Sequence, residues 1–304
     1  MEKNKTSIII FSTLVILAII MFSVLAYWMV TDKNLDGNHV NQGHNQEILI
    51  NDIEAEQRVV ISQDIDNRIL LIVMEDNSVV LPSMKDNYTE NEFLTKLALS
   101  FLFSVKITEL DGKTFPEIID DYGEDYLAGQ FKEAAKGYSE IIVLSDEDAS
   151  FDNFVKVLKD LNNKEKMIDI VLDVHGLSDI YYFYGQLVNK NVLLDEFDSP
   201  LNIGFVYQTV CYGGQGAKLW LDLGAEVVSG AKGINSFVLL SPQIFLSSWV
   251  NGDEYYDAVQ EGFNHEIDIF SYINKFISND FFATDKNAIE NSTMMFYGNK
   301  EYSL

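Results

Sequence analysis

The sequence predicts an α/β fold: a mostly parallel sheet covered by helices on both faces, preceded by one N-terminal transmembrane helix. Three observations carry this expectation. Nearly unbroken apolar runs recur at Ile69–Met74, Ile168–Val174 and Asn202–Val210, as expected of strands buried on both faces. Segments with helical periodicity alternate with them, the pattern of parallel βαβ architecture. Ser7 to Val30 is apolar and free of charge. At ~1.5 Å rise per residue it makes about 36 Å of helix, enough to cross a hydrocarbon core of about 30 Å with some tilt.

The elements follow in order. Residues 1–6 are a short cytoplasmic N-terminus, 7–30 the membrane segment, 31–46 a polar linker, and 47–304 one α/β domain. Val59–Ile61 and Ile69–Met74 read as strands. Thr89-Glu90-Asn91-Glu92 has the capping-box pattern ahead of a helix around Glu92–Phe103. Val105–Thr108 reads as a short strand, Asp111-Gly112 as a turn, and Tyr126–Lys136 as a helix. Glu140–Leu144 is a strand. Phe151, Phe154, Val155, Leu158 and Leu161 fall on one helical stripe. Ile168–Val174 is a strand, and Ile180–Val188 folds back on itself at Gly185 as a hairpin. Asn202–Val210 is a strand, Gly216–Leu223 a short helix, and Glu226–Ser229 a strand. Ile234–Val250 reads as a buried strand plus helix, interrupted by Pro242, and Tyr255–Phe263 as a late helix on the surface side.

A signal-peptide core is shorter, roughly 7–15 residues, and ends at a small-residue cleavage site. Here the run ends in Tyr27-Trp28-Met29-Val30, an aromatic interfacial anchor, which favours an uncleaved signal anchor over a cleaved signal. Lys3 and Lys5 precede the span, so the positive-inside rule puts the N-terminus in the cytoplasm and the main domain outside. The formal net charge of −26 argues against nucleic acid or anionic lipid as partners, because phosphate binding needs lysine and arginine clusters. One cysteine rules out an intrachain disulfide, so the domain is held by its core.

That cysteine, Cys211, sits where an apolar run stops and glycine begins, in Val210-Cys211-Tyr212-Gly213-Gly214. His175 has the same setting, in Asp173-Val174-His175-Gly176. Open α/β sheets bind ligands outside the carboxyl ends of their strands. A thiol and an imidazole delivered to that edge are the parts of a nucleophile–base pair.

The ordered set resembles the caspase-like (clan CD) cysteine peptidases: caspases, legumains, gingipains, clostripain, separases and CHAT domains. It comprises an apolar strand into His175-Gly176, the hairpin Ile180–Leu187, the short helix Leu193–Phe197 and an apolar strand into Cys211. Leu223–Ala231 and Asn251–Ala258 complete it. The resemblance implies a caspase-like three-layer sandwich and a thiol peptidase that needs no cofactor and acts on a peptide or protein. It implies catalysis by His175 and Cys211, with the backbone N–H groups of Gly176 and Cys211 as the oxyanion hole. A neighbouring imidazole and the dipole of the helix after Gly213-Gly214 would lower the thiol pKa. His175 and Cys211 are 36 residues apart, against about 50 in caspases. Thr209 stands where members that cut after Arg or Lys carry Asp.

Asp173, Thr209 and Gly213 are candidates for orienting the imidazole or contacting substrate, with Asp173 also readable as a solvated edge carboxylate. No metal site is expected. His39 and His44 lack a third ligand at suitable spacing, and Asp146-Glu147-Asp148 with Asp152 lacks the central glycine of a calcium loop. Three further readings stay open. One is a non-catalytic caspase-like module that binds at the cell surface. Another is a transpeptidase using the same acyl-enzyme. The third is a sortase, suggested by Thr209-Val210-Cys211 but lacking the downstream arginine such an enzyme needs.

Overall fold

The computed structural model describes residues 65–75, 96, 100, 105–114, 118, 122, 124–164, 166–274 and 284–304. All of them fall within one compact unit, Ile50–Leu304. The expected membrane segment 7–30, the linker 31–46 and the strand Val59–Ile61 lie outside the described residues. So does the helix around Glu92–Phe103, apart from Lys96 and Ser100. Among the described residues, no helix is long and apolar enough to cross a membrane.

Strands β1 (Arg68–Met74), β2 (Glu140–Leu144), β3 (Met167–Asp173), β7 (Ile203–Gln208), β8 (Ala225–Ala231) and β9 (Met294–Gly298) form a six-stranded sheet. Its order is β2-β1-β3-β7-β8-β9, parallel throughout except for β9, which pairs antiparallel with β8. A second sheet of three short antiparallel strands, β4 (Gly176–Leu177), β5 (Ile180–Phe183) and β6 (Gln186–Asn189), grows from the end of β3. Among the described residues, the helices with continuous ranges are α1 (Glu124–Ala134), α2 (Phe151–Asn162), α3 (Lys190–Asp195), α4 (Ala217–Asp222), α5 (Ser241–Val250), α6 (Tyr255–Asn274) and α7 (Lys286–Ser292).

Alternation along β1 shows why the sheet is covered twice. Every residue of β1 is buried. Ile69, Leu71 and Val73 enter one core with α2, α4 and the hairpin, while Leu70, Ile72 and Met74 enter the other with α1, α5 and α6. Successive side chains of a strand point to opposite faces, so an unbroken apolar run is what a sheet between two helical layers requires. The architecture is therefore the expected three-layer α/β sandwich. On α2 the five residues of the expected stripe are the buried ones.

Three expectations are corrected. Residues Ile107–Leu110 form a 3-10 turn rather than a strand, closed by the Glu109 N–H on the Lys106 carbonyl at 2.8 Å and followed by Gly112 at φ +78°. The Ile234–Val250 segment contains no strand. Residues before Ser241 run as irregular chain into α5, with Pro242 in the first turn of the helix, where its missing N–H costs nothing. Tyr255–Phe263 is only the first half of α6, and Tyr255, Ala258, Val259 and Phe263 are buried in the second core rather than riding on the surface.

Two charged residues inside the strands form a buried pair. Arg68 Nε and Nη2 donate to the two carboxylate oxygens of Asp169 at 2.6 and 2.5 Å, and both residues are fully buried. Tyr138 donates its hydroxyl to Asp169 at 2.8 Å, Phe205 donates its N–H at 3.1 Å, and Arg68 also donates to Tyr302 at 2.9 Å. Trp249 and Tyr302 lie 5.5 and 5.4 Å from the guanidinium as ring centroids. The cluster clamps the amino-terminal ends of β1 and β3, opposite the edge where His175 and Cys211 emerge.

Candidate active site

The strand order reverses between β1 and β3, the kind of switch point at which open α/β sheets form a crevice beyond the strand ends. Leu172 of β3 and Gln208 of β7 are register partners. One step further, the Thr209 N–H donates to the Leu172 carbonyl at 3.1 Å, and Thr209 Oγ1 donates to Asp173 Oδ1 at 2.5 Å. Two more steps along each chain lie His175 and Cys211, both half-buried.

Backbone contact confirms that these two ends converge. A Cβ placed on Gly176 would lie 2.3 Å from Val210 Cγ1, 2.9 Å from the Ile180 carbonyl oxygen and 3.4 Å from the Cys211 carbonyl oxygen. Glycine is thus required for the chain after His175 to pass so close to Cys211. The Tyr182 N–H donates to the His175 carbonyl at 2.9 Å. That makes Gly176 and Tyr181 a non-hydrogen-bonded pair of the β4–β5 ladder, so the Gly176 N–H points away from β5.

Cys211 opens a tight turn. Tyr212 follows in the left-handed region at φ 57°, which only a few per cent of non-glycine residues adopt. Its N–H donates to the Gly233 carbonyl at 2.7 Å, and the Gly213 N–H donates to the Val210 carbonyl at 2.9 Å. Gly213 and Gly214 press on β8, where a Cβ on Gly230 would lie 2.5 Å from the Gly213 carbonyl carbon. Burial pushes the Cys211 thiol up from its ordinary value, and the backbone N–H groups of Asn235 and of Cys211 itself oppose that rise. This corrects the expectation of a lowered thiol. A 3-10 turn, Gly213–Gly216, intervenes before the six-residue helix α4, so no long helix begins at the cysteine to lend it a dipole.

A buried polar network braces the turn from beneath. Tyr181 donates its hydroxyl to Gln208 Oε1 at 2.6 Å and receives the Trp220 Nε1–H at 2.9 Å. Gln208 Nε2 in turn donates to the Gly213 carbonyl at 3.2 Å. The hairpin after His175 and the turn after Cys211 are thereby tied to one side chain. Lys190 stacks its ammonium 4.7 Å from the Tyr181 ring centroid and donates to the Ser178 carbonyl at 2.9 Å. Burial pushes it down to about 8, against the opposing charge of Asp179.

Asp173, His175, Gly176, Thr209, Cys211 and Gly213 therefore gather at one sheet edge, while His39 and His44 lie outside the described residues. Asp173 is not a solvated carboxylate: it is 3% exposed and bonded to Thr209. Thr209 and Gly213 are buried as well, so they support the turn from within rather than face a substrate. Asp146–Ala149 is a 3-10 turn whose three carboxylate residues are exposed. Among the described residues, no group of three or more His, Cys, Asp or Glu is disposed to hold a metal ion. Sequence reading missed Asn235, whose side chain donates to the Thr209 carbonyl at 2.8 Å and whose N–H counters the burial that raises the thiol. Nothing local marks it, because its partners lie some two dozen residues upstream.

No protein-family model matches the sequence, and no curated protein matches it. Among solved structures, the chain is similar to the Arg-specific cysteine proteinase gingipain R (RgpB) of Porphyromonas gingivalis. Identity there is 10% and the TM-score 0.45, over 80% of this chain and 48% of that one. It is also similar to a secreted C11 cysteine protease from Bacteroides thetaiotaomicron, with 10% identity, TM-score 0.36, and 68% and 59% covered. A third is the Drosophila initiator caspase Dronc, with 11% identity, TM-score 0.38, and 89% and 93% covered. The three are peptidases of the clan that the sequence resembles. The chain spans about half the length of the gingipain structure and under two thirds of the C11 structure. A likeness at this depth describes the path of the chain and assigns it no activity.

Proposed function

We propose that the chain is a cysteine endopeptidase, anchored in the membrane by residues 7–30 with its α/β domain outside the cytoplasm. It would hydrolyse peptide bonds through His175 and Cys211. The observation that carries the reading is the register of β3 and β7, which puts His175 and Cys211 at the same level beyond the sheet.

The chemistry follows from the resting state. A thiol raised by burial starts neutral, so the nucleophile forms as His175 takes the proton during attack, and no standing thiolate is needed. Cys211 Sγ bonds to the scissile carbonyl carbon, and the oxyanion that develops is met by the N–H groups of Gly176 and Cys211. Each such donor is worth roughly 2.7–4 kcal/mol. His175 then protonates the leaving amine, and water hydrolyses the acyl-enzyme.

The test is turnover of peptide libraries by the full-length protein in detergent, with intact-mass detection of an acylated Cys211. Cleavage that Cys211→Ala abolishes and His175→Ala lowers by about 10²–10⁴ supports the reading. The raised thiol also favours a second reading, a caspase-like surface module that binds without catalysis. Absence of any acylation or turnover would leave that one standing. Transfer to an added amine nucleophile in place of water would mark a transpeptidase.

A further inference from the structure

We infer that Asn235 is the positioning residue of Cys211, its side chain fixing the strap between β8 and α5 to the chain on either side of the cysteine, at Thr209 and Tyr212. The inference deepens the peptidase reading and rests on Cys211 being the nucleophile.

The strap, residues 232–240, has no regular structure of its own, yet it is bonded along both sides. Towards Cys211, Asn235 Nδ2 donates to the Thr209 carbonyl at 2.8 Å and the Gly233 carbonyl accepts the Tyr212 N–H at 2.7 Å. Within the strap, Asn235 Oδ1 accepts the Phe237 N–H at 3.1 Å. On the far side, the end of α7 holds it. The Lys232 and Gly233 N–H groups donate to the carbonyls of Thr293 and Asn291 at 3.0 and 2.7 Å, and Ser236 N–H donates to Ser292 Oγ at 2.8 Å.

The Asn235 amide thus uses both ends, a donor on the strand that delivers Cys211 and an acceptor on its own strap. Only a carboxamide supplies that pair: aspartate loses the donor, and alanine loses both. The consequence falls on sulfur. An N–H donor binds a thiolate more strongly than a thiol, because the bond becomes charge-assisted. With the strap pinned there, the Asn235 backbone N–H, which counters the burial that raises the thiol, favours the sulfur more as the nucleophile forms. The same strap holds Tyr212 in its left-handed conformation through Gly233, so one segment sets both the sulfur and the turn behind it.

The experiment is carboxymethylation of Cys211, the chain's single cysteine, in the full-length protein from pH 6 to 10.5, without substrate. Wild type is compared with Asn235→Ala and with Asn235→Asp, which keeps the acceptor for Phe237 and so half of the clip. Asn162→Ala serves as control, since it removes a side-chain bond to the Asn202 N–H before β7 begins. Asn235→Ala should raise the apparent thiol pKa by about one unit, the scale of one hydrogen bond to a charged group, and Asn235→Asp by more, because its carboxylate also repels the thiolate. The control should change the thermal midpoint but not the profile. An unshifted profile in whichever Asn235 variant folds, or an equal shift in the control, would overturn the inference. Failure of the peptidase reading shows separately, as absent turnover in wild type.

Discussion

His175 and Cys211 lie equally far beyond one register pair: Leu172 and Gln208 sit side by side in β3 and β7, and each candidate residue is three positions further on. The spacing of 36 residues between them in sequence is the same offset that relates Ile170 to Val206 and Val171 to Tyr207. Strand pairing alone therefore aligns the two, and the loops between β3 and β7 need only return the chain. A shift of one residue in this register would turn every side chain of β7 to the opposite face, so alignment of the site and burial of the core are one constraint.

Gly176→Ala tests how tightly these ends are joined. The added Cβ meets Val210 Cγ1 at 2.3 Å, and the backbone oxygen of Ile180 at 2.9 Å leaves it little room to relax. The chain after His175 must shift, carrying the Gly176 N–H with it. Stability should fall by about 1–3 kcal/mol in urea unfolding. Any turnover measured for wild type should fall by about 10²–10³, the loss typical of one oxyanion donor. Full activity in a stable Gly176→Ala protein would remove Gly176 from the site.

Much of the fold was legible, for reasons that differ by element. The strands β1, β3 and β7 are buried on both faces and so read as continuous apolar runs. Helix α2 is buried on one stripe and reads as a 3.6-residue period. Strand β9 was missed because Met294–Gly298 is five residues at a sheet edge, and its partner β8 lies some sixty residues upstream. Among the candidate residues, His175, Gly176 and Cys211 are legible because each stands at the end of an apolar run. Asp173 was misjudged because its burial depends on Thr209 of another strand. Asn235 is one polar residue in an irregular segment, and only the tertiary fold gives it a role. Asp169 did leave a trace, as a charged residue inside an apolar strand that demands a buried partner.

That partner, Arg68, gives a stability prediction. Removing one member of a buried ion pair strands the other charge and costs about 3–5 kcal/mol. Asp169→Asn should therefore lower the unfolding free energy by that amount, measured by urea denaturation. Arg68→Met combined with Asp169→Leu should recover a good part of it, because no charge is then left in the core. The double variant still leaves the Tyr138 hydroxyl and the Phe205 N–H without their carboxylate acceptor, so recovery should be incomplete. A single variant as stable as wild type would mean that the clamp contributes nothing.

Tyr181→Phe probes the brace under the cysteine turn. It deletes the hydroxyl that bonds Gln208 at 2.6 Å and receives Trp220 at 2.9 Å, while Trp220 retains a longer contact of 3.3 Å to Gln208. The expected cost is about 1–2 kcal/mol, the loss of a buried hydrogen bond with partial rescue. Gln208 would keep its bond to Gly213, so the Cys211 alkylation profile should change less than in Asn235→Ala. A larger change would shift the main support of the turn from the strap to the hairpin.

The far end of the strap carries a pH-dependent element. Glu266 of α6 is fully buried, and its two oxygens accept the N–H groups of Leu239 and Ser241 at 2.9 and 2.8 Å, holding the start of α5. Burial pushes its carboxyl up to about 7, against the backbone N–H groups of Ser241 and Leu239 that favour the carboxylate. The folded value thus lies above the unfolded one, near 4.3. Protonation favours the folded state, so the contribution from Glu266 is complete below about pH 4.3 and is lost as pH rises through 7. Glu266→Gln cannot titrate. It keeps one oxygen acceptor but loses the other, so it should start less stable than wild type at pH 5. The gap should narrow steadily towards pH 8, where wild type buries a charge and the variant does not. Thermal midpoints of both proteins across that range measure the gap directly. Curves that stay parallel would mean that Glu266 does not titrate there, and that the strap is held equally firmly at every pH.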